Sequence, residues 1–303
     1  MREVRKRYGD TVALDGVTLE VEAGEVFGLL GPNGAGKTTA VEIAEGLRRP
    51  DAGTVRVLGL DPWADGVRLK DRIGVQLQQG RLPDRLRVHE VLELVASLYS
   101  RPRSVPELIE EWGLGPKRDT AFAKLSGGQQ QRLFLAMALV GRPELVFFDE
   151  ITTGLDPQAR RATWELVRRV RDAGVTVLLV SHLMDEVAEL ADRVAILDGG
   201  RVIAQDTPTG LIARTDDDQR MRFRPVGEVD LELLRGLTGV TGVTRSGSQV
   251  TVTGRADFAT RVTGELARHH VLVADLRLEQ RTLDDAYLAL TGRPFEADLE
   301  VAK

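Results

Sequence analysis

The amino-acid sequence predicts an α/β protein with a mostly parallel sheet covered on both faces, followed by a smaller α+β unit. Three observations carry this reading. The apolar run Val26 to Leu30 ends in a glycine-rich turn at Gly31, as a buried strand feeding a helix does. Strand and helix patterns alternate from Leu145 onward, which places helices on both faces of a parallel sheet. A short acidic polar stretch at Thr215 to Asp218 then gives way to elements in the order β-α-β-β-α-β. A chain of 303 residues accommodates two such units, since domains run to roughly 100–200 residues.

Taken in order, Val17 to Val21 alternates apolar and polar residues and is expected as a half-exposed strand before the buried one. Thr54 to Leu58 and Arg72 to Leu77 read as shorter strands, and Val88, Val91, Leu92, Val95 and Tyr99 share one helical face. Pro102 and Pro106 punctuate the chain, and Ser104 to Gly127 stays helical and polar. Gln129 to Val140 is apolar on most sides and therefore a buried helix. Leu145 to Phe148 is a strand. Pro157 to Ala173 is a helix with Asp156 at its N-cap, Val175 to Val180 a strand, and Ser181 the cap of a further helix.

The second unit reads as strand Met221 to Arg224, helix Asp230 to Leu237, hairpin strands Val240 to Thr244 and Gln249 to Thr253 around Ser246-Gly247, helix Asp257 to His269 and strand Val271 to Leu278. That order is the split ferredoxin-like arrangement. Thr282-Leu-Asp-Asp285 opens a last helix as a capping box, and Gly292 ends it before Pro294. The expected organisation is thus a first domain over 1–214, a linker at 215–218, an accessory domain over 219–292 and a frayed tail over 293–303.

Forty-six acidic residues against 41 basic ones give a net charge of -5. The chain lacks the overall positive field that nonspecific binding to nucleic acid or anionic lipid requires. Crossing a bilayer as a helix takes about 20 consecutive apolar residues, far more than any run here. No signal-peptide pattern opens the chain, and the absence of cysteine removes disulfides and thiolate metal sites. The expected compartment is the cytoplasm.

Gly31-Pro32-Asn33-Gly34-Ala35-Gly36-Lys37-Thr38, followed by Thr39, fits G-x-x-x-x-G-K-[ST], in which glycines let backbone N–H groups curl around phosphates at a helix N-terminus. Lys37 is placed to reach the β and γ phosphates of ATP, and the Thr38 hydroxyl to bind Mg²⁺. A second Mg²⁺ contact is expected from Asp149, at the end of the apolar strand Leu145-Val-Phe-Phe, with Glu150 beside it as the base for an attacking water. Ser126-Gly127-Gly128-Gln129 opens the buried helix. Alone it is either a plain helix entry or a further anion site. His182 could reach a phosphate oxygen or simply lie at the surface, and Gln78 could ligate a metal or a water or be a polar loop residue.

Together these residues resemble the nucleotide-binding subunit of an ATP-binding cassette (ABC) transporter, a P-loop NTPase with a mixed-sheet core and a helical subdomain, here about residues 80–142. The resemblance covers about Val4 to Pro208. Gly31 to Thr38 matches the Walker A loop, Leu145 to Glu150 the Walker B strand, and Leu125 to Gln129 the LSGGQ signature. Gln78 matches the Q-loop, Gly154-Leu155-Asp156 the D-loop, His182 the switch histidine, and Tyr8 the aromatic that stacks on adenine.

The resemblance implies ATP and Mg²⁺ as ligands, with Thr38, Gln78 and Asp149 around the metal and Glu150, His182 and Gln78 at the hydrolytic centre. It also implies head-to-tail pairing of two such subunits, so that the signature of one completes the loop of the other. An integral membrane permease is the implied partner, which puts the chain peripherally on the inner face of the cell membrane. The segment Thr282 to Gly292 is similar to the end of drug-exporter ATPases of the daunorubicin-resistance type, with export of a drug-like, lipid or other small molecule as the implied task.

Two departures stand out. Ile151 occupies the place of the family's usual proline, and only seven residues precede Tyr8, so the family's first strand is expected shortened and frayed, and the start of the chain reads as trimmed. The alternatives weighed against a transporter subunit are a soluble cassette ATPase acting on the ribosome or nucleic acid, and an ATP-gated scaffold with little turnover.

Overall fold

A computed structural model describes residues 1–76, 82–214, 218–279 and 281–295. The chain opens with a hairpin of β1 (Arg2–Tyr8) and β2 (Thr11–Val17), in which Tyr8 faces Thr11 across a turn whose Gly9 adopts φ +56°. The buried strand β3 (Val26–Leu30) runs into α1 (Lys37–Ala44), and β4 (Ala52–Thr54) returns to pair with β1. After α2 (Gly66–Lys70) and β5 (Ile73–Gln76) come the helices α3 (Val88–Ala96), α4 (Val105–Glu111) and α5 (Gly127–Leu139). Strand β6 (Leu145–Asp149), helix α6 (Pro157–Asp172), strand β7 (Thr176–Ser181), helix α7 (Met184–Leu190), strands β8 (Arg193–Asp198) and β9 (Arg201–Asp206) and helix α8 (Pro208–Ala213) complete the first part.

A six-stranded sheet of order β5-β6-β7-β3-β8-β9 lies at the centre, parallel except for the β8–β9 pair, and a separate antiparallel sheet has the order β2-β1-β4. Alternation along the central strands sends side chains into two cores. Val146 and Phe148 of β6 and Val177 and Leu179 of β7 join the core with α3 to α6, whereas Leu145, Phe147, Leu178 and Val180 join the one with α1 and the hairpin. Both faces of the strands are therefore apolar, which is why they read as continuous runs. Helix α5 lies so close to β5 that a Cβ on Gly74 would stand 2.0 Å from the Ala138 carbonyl oxygen.

The chain divides into two compact units, at Leu211/Ile212 and again at Ala286/Tyr287, so the described chain from Tyr287 onward belongs with the first. The second contains β10 (Gln219–Val226), α9 (Leu231–Arg235), β11 (Val240–Ser246), β12 (Gln249–Gly254), α10 (Phe258–Arg268) and β13 (Leu272–Glu279). Its antiparallel sheet has the order β11-β12-β10-β13 over a core of Met221, Phe223, Val250, Val252, Phe258 and Val262. The last helix, α11 (Leu283–Thr291), has Thr282 and Asp285 in the reciprocal capping contacts expected of them. In the first unit, the Tyr287 hydroxyl donates to Asp198, and Arg293 donates to both oxygens of the same carboxylate.

Several local expectations are corrected. The strand near Val17 lies before that residue, not over Val17 to Val21; Leu19 instead exchanges hydrogen bonds with Met1. The start of the chain is thereby paired, and β1 is a seven-residue strand rather than a frayed stub. Ala52–Thr54 is the strand near Thr54, because the chain turns back at the Val57–Leu60 bridge, with Leu58 at φ +51°. Of the stretch Ser104 to Gly127 only α4 is α-helical; two short 3₁₀ turns follow. The expected linker falls mainly on 215–217 and the frayed tail mainly on 296–303, outside the described residues.

Candidate functional site

The phosphate loop joins β3 to α1, and two of its glycines, Gly31 and Gly36, are fixed by close backbone approaches. A Cβ on Gly31 would stand 2.2 Å from the Leu197 carbonyl oxygen; one on Gly36, at φ +105°, would stand 2.4 Å from that of Ala13. No other residue fits without displacing the neighbouring strand or turn. Helix α1 has no side-chain cap hydrogen bond, and an N-terminus without one is suited to an anion such as phosphate. Ala35 is buried, with its carbonyl accepting from Gly200 N, whereas Asn33, Gly34 and Thr38 are exposed and Pro32 and Thr39 half-buried. Lys37 is buried and curls back over the loop, its Nζ donating to the Gly31 oxygen at 2.6 Å and the Pro32 oxygen at 3.0 Å. Burial lowers its pKa, against the opposing pull of Glu150 and Asp149.

Those two acids end β6. Burial, reinforced by the neighbouring Glu150, pushes Asp149 up to about 6, and Lys37 partly offsets this. Glu150 adopts φ +51°, sparsely populated for a residue with a Cβ. Its N–H donates to Val180 O, which ties the turn to the adjacent strand β7. His182 follows that strand directly, and its Nδ1 lies 3.0 Å from Glu150 Oε1. Lys37, Asp149, Glu150 and His182 thus stand beyond the C-terminal ends of β3, β6 and β7, neighbours in the sheet, which is where open α/β sheets bind ligands.

Ser126–Gln129 forms a second cluster. Ser126 caps α5 reciprocally with Gln129, and Gly127 and Gly128 face Leu155 and Ala159, so the segment is built on the α5–α6 contact rather than on the loop. Asp156 caps α6, accepting from Gln158 N and Ala159 N, both at 2.9 Å. Ser181 is not a simple cap: its hydroxyl accepts from Leu183 N and donates to Glu186, one turn into α7. Tyr8 ends β1 and is 39% exposed, with Lys6 and Arg48 over its ring at 5.5 and 5.4 Å from the centroid. Gln78 lies outside the described residues. Three buried acids escaped the sequence reading, Glu45 after α1, Glu186 in α7 and Glu265 in α10. The available signal was an acid placed among apolar helix positions, as Glu186 is between Met184, Val187 and Leu190.

Among the described residues no group of three or more His, Asp or Glu side chains could cage a metal. The oxygens of Thr38 and Asp149 suit Mg²⁺, which takes one or two protein ligands and completes its shell with phosphate and water. The donor set therefore fits magnesium held jointly with a nucleotide.

A phosphate loop, a paired-acid strand and a capped Ser-Gly-Gly-Gln helix on this sheet define an ATP-binding cassette. Residues 14–153 match the ABC transporter family. The daunorubicin/doxorubicin resistance ATP-binding protein DrrA of Streptomyces peucetius is 41% identical over 302 residues, covering 96% of this chain and 91% of its own. The Nod factor export ATP-binding protein I of Sinorhizobium fredii is 39% identical over 309 residues, covering 98% and 86%. Among solved structures, an ATP-binding subunit of an ABC transporter superposes with a TM-score of 0.64 at 28% identity, over 70% of this chain and 91% of that one. A dimeric post-hydrolysis state of the ATP-binding cassette MJ0796 bound to ADP and Pi gives 0.61 at 25%, over 68% and 97%. The chain belongs to the ABC transporter family as one of its ATP-binding subunits. The likeness to the two named relatives runs through the second unit as well as the cassette.

Proposed function

We propose that two copies of the chain bind Mg-ATP between them and hydrolyse it to drive export of a drug-like, lipid or other small molecule through a separate membrane permease. The observation that carries the catalytic part is the contact between His182 and Glu150 beside the phosphate loop, with Lys37 and Asp149 in electrostatic reach. Lys37 would exchange its two carbonyl contacts for the β and γ phosphates, a favourable trade because the loop carbonyls are neutral acceptors. Thr38 and Asp149 would hold Mg²⁺, which supplies charge stabilisation to the phosphoryl oxygens. Glu150 would orient and deprotonate the attacking water, with His182 holding the carboxylate toward the phosphate. Tyr8 offers an exposed face to the adenine, and Ser126 to Gln129 of the second copy would close the site. Gln78 remains proposed as a metal or water ligand.

Export is supported by the likeness to a Nod factor export protein and a drug-resistance protein, and the second unit, over which both likenesses run, is proposed here to be a ferredoxin-like accessory domain. The nucleic-acid alternative draws no support from these relatives and runs against the net charge of -5. No described helix is long and apolar enough to cross a membrane, so a spanning partner is required by the proposal. Exposed Leu94 and Leu98, one turn apart at the end of α3, are candidate contacts for it. The test is Mg-dependent ATP turnover by the full chain and by Glu150→Gln. The variant is expected to bind ATP, lose turnover and accumulate as a dimer; full turnover in it would overturn the assignment of the base. Co-purification of a multi-span membrane protein tests the export half, and a ribosomal or DNA partner in its place would refute it.

A further inference from the structure

The carboxylate of Glu186 is completely buried and collects three side-chain donors from three segments. Its Oε1 accepts from the Thr152 hydroxyl at 2.7 Å and from Trp164 Nε1 at 3.1 Å, and its Oε2 accepts from the Ser181 hydroxyl at 2.6 Å. Thr152 lies two residues beyond Glu150, and Ser181 immediately precedes His182. The hub therefore grips the chain on both sides of the Glu150–His182 contact, once after the acid and once before the histidine. Trp164 donates from α6, which carries neither Glu150 nor His182, so its bond to the hub fixes no segment of the catalytic pair.

We propose that Glu186 is a positioning residue for hydrolysis: by holding the Thr152 and Ser181 hydroxyls on one carboxylate, it sets the separation of Glu150 and His182. The inference rests on the ATPase reading above. Thr152 is fully buried and Ser181 nearly so, so a freed hydroxyl has no water to turn to and the segment carrying it must shift. Glu150 at φ +51° depends on such over-determination, because its own backbone preference pulls away from that conformation.

The experiment measures kcat, KM for ATP and Tm for the full chain carrying Thr152→Val, Thr152→Ser, Ser181→Ala or Trp164→Phe. Each change except Thr152→Ser removes one donor to the same carboxylate, with little change of shape in Thr152→Val and Ser181→Ala and a smaller ring in Trp164→Phe. Positioning predicts that Thr152→Val and Ser181→Ala lower kcat by about tenfold or more with KM within about twofold, since small misplacements at a reacting centre cost rate. Thr152→Ser, which keeps the hydroxyl, restores turnover. Trp164→Phe keeps kcat within about twofold although it too removes a donor to Glu186 and lowers Tm. A purely structural hub predicts instead that kcat follows Tm across the whole set, and that result overturns the proposal, as does unchanged kcat in Thr152→Val and Ser181→Ala. Absence of turnover in the unaltered chain would bring down the ATPase reading itself, which separates the two failures.

Discussion

Glu45 gives the sharpest physical prediction. It closes α1 at the C-terminal end, where the helix dipole disfavours negative charge, and is 4% exposed. Its Oε2 meets no hydrogen-bond partner among the described residues. Burial first, then Asp149 and Glu42, raise its pKa from 4.5 to about 8. The native state therefore keeps a proton that the unfolded chain releases above 4.5, so stability falls as pH rises from about 4.5 to 8, at about 1.4 kcal/mol per unit. Glu45→Gln resembles the protonated native form and has no charge to desolvate. Between pH 5 and 7.5 the variant should gain about 3 kcal/mol on the unaltered chain, whatever their offset at pH 5. Urea unfolding followed by tryptophan fluorescence reads this in the first unit alone, because Trp63, Trp112 and Trp164 all precede Leu211. A chelator keeps divalent cations from altering the Asp149 field. A stability difference independent of pH would refute the reasoning, since it would show Glu45 ionised in the native state throughout.

Three further outcomes are expected. Asp156→Ala removes both cap hydrogen bonds of α6 and should cost about 1 kcal/mol, read as a lower urea midpoint; an unchanged midpoint would contradict the cap. Gly74→Ala drives a Cβ to 2.0 Å from a backbone oxygen of α5, so on the order of 1–3 kcal/mol should be lost as the helix is pushed from β5, and a neutral result would mean the two are not in such close contact. Because Asp149 titrates near 6 without metal, Mg²⁺ binding must displace a proton below that pH. Magnesium affinity in the presence of ATP should fall by up to about tenfold per unit below pH 6, and a flat profile from pH 5 to 7 in calorimetric titration would remove Asp149 from the metal site.

The parts of this fold that were legible in the sequence are those where one local signal suffices. Val26 to Leu30, Leu145 to Phe148 and Val175 to Val180 are apolar on both sides because both sheet faces are covered, and the glycine turn after the first of them announces its own helix. The Asp156 cap and the Thr282 capping box were visible for the same reason, as fixed spacings of polar residue and backbone N–H. What escaped was set by pairing over long distances. The short β1–β2–β4 sheet has one buried residue on β1, Val4, so its alternation is faint, and β4 exists through pairing with a strand some fifty residues earlier. The β8–β9 hairpin is the exception, a local pairing in which Asp198 faces Arg201 across Gly199-Gly200. Glu186 could be suspected as an acid on an apolar face, but its three donors lie 5 to 34 residues away, and only the fold assembles them.

The replacement of the family's proline by Ile151 bears on how rigidly Glu150 is held. A proline would stiffen the turn through its fixed φ and would contribute no side chain long enough to reach deep into the core. Ile151 is 1% exposed and packs in the same core as Phe148 and Leu179, so the turn is anchored by burial rather than by a ring. Truncating a buried isoleucine costs on the order of 2–5 kcal/mol, more than the fixed φ of a proline usually contributes, which is below about 1 kcal/mol. The backbone after Glu150 is then held at Ile151 by the core, at Thr152 by Glu186 and at Glu150 N by Val180. These three attachments within three residues keep a φ of +51° populated, as the catalytic role proposed for Glu150 would need.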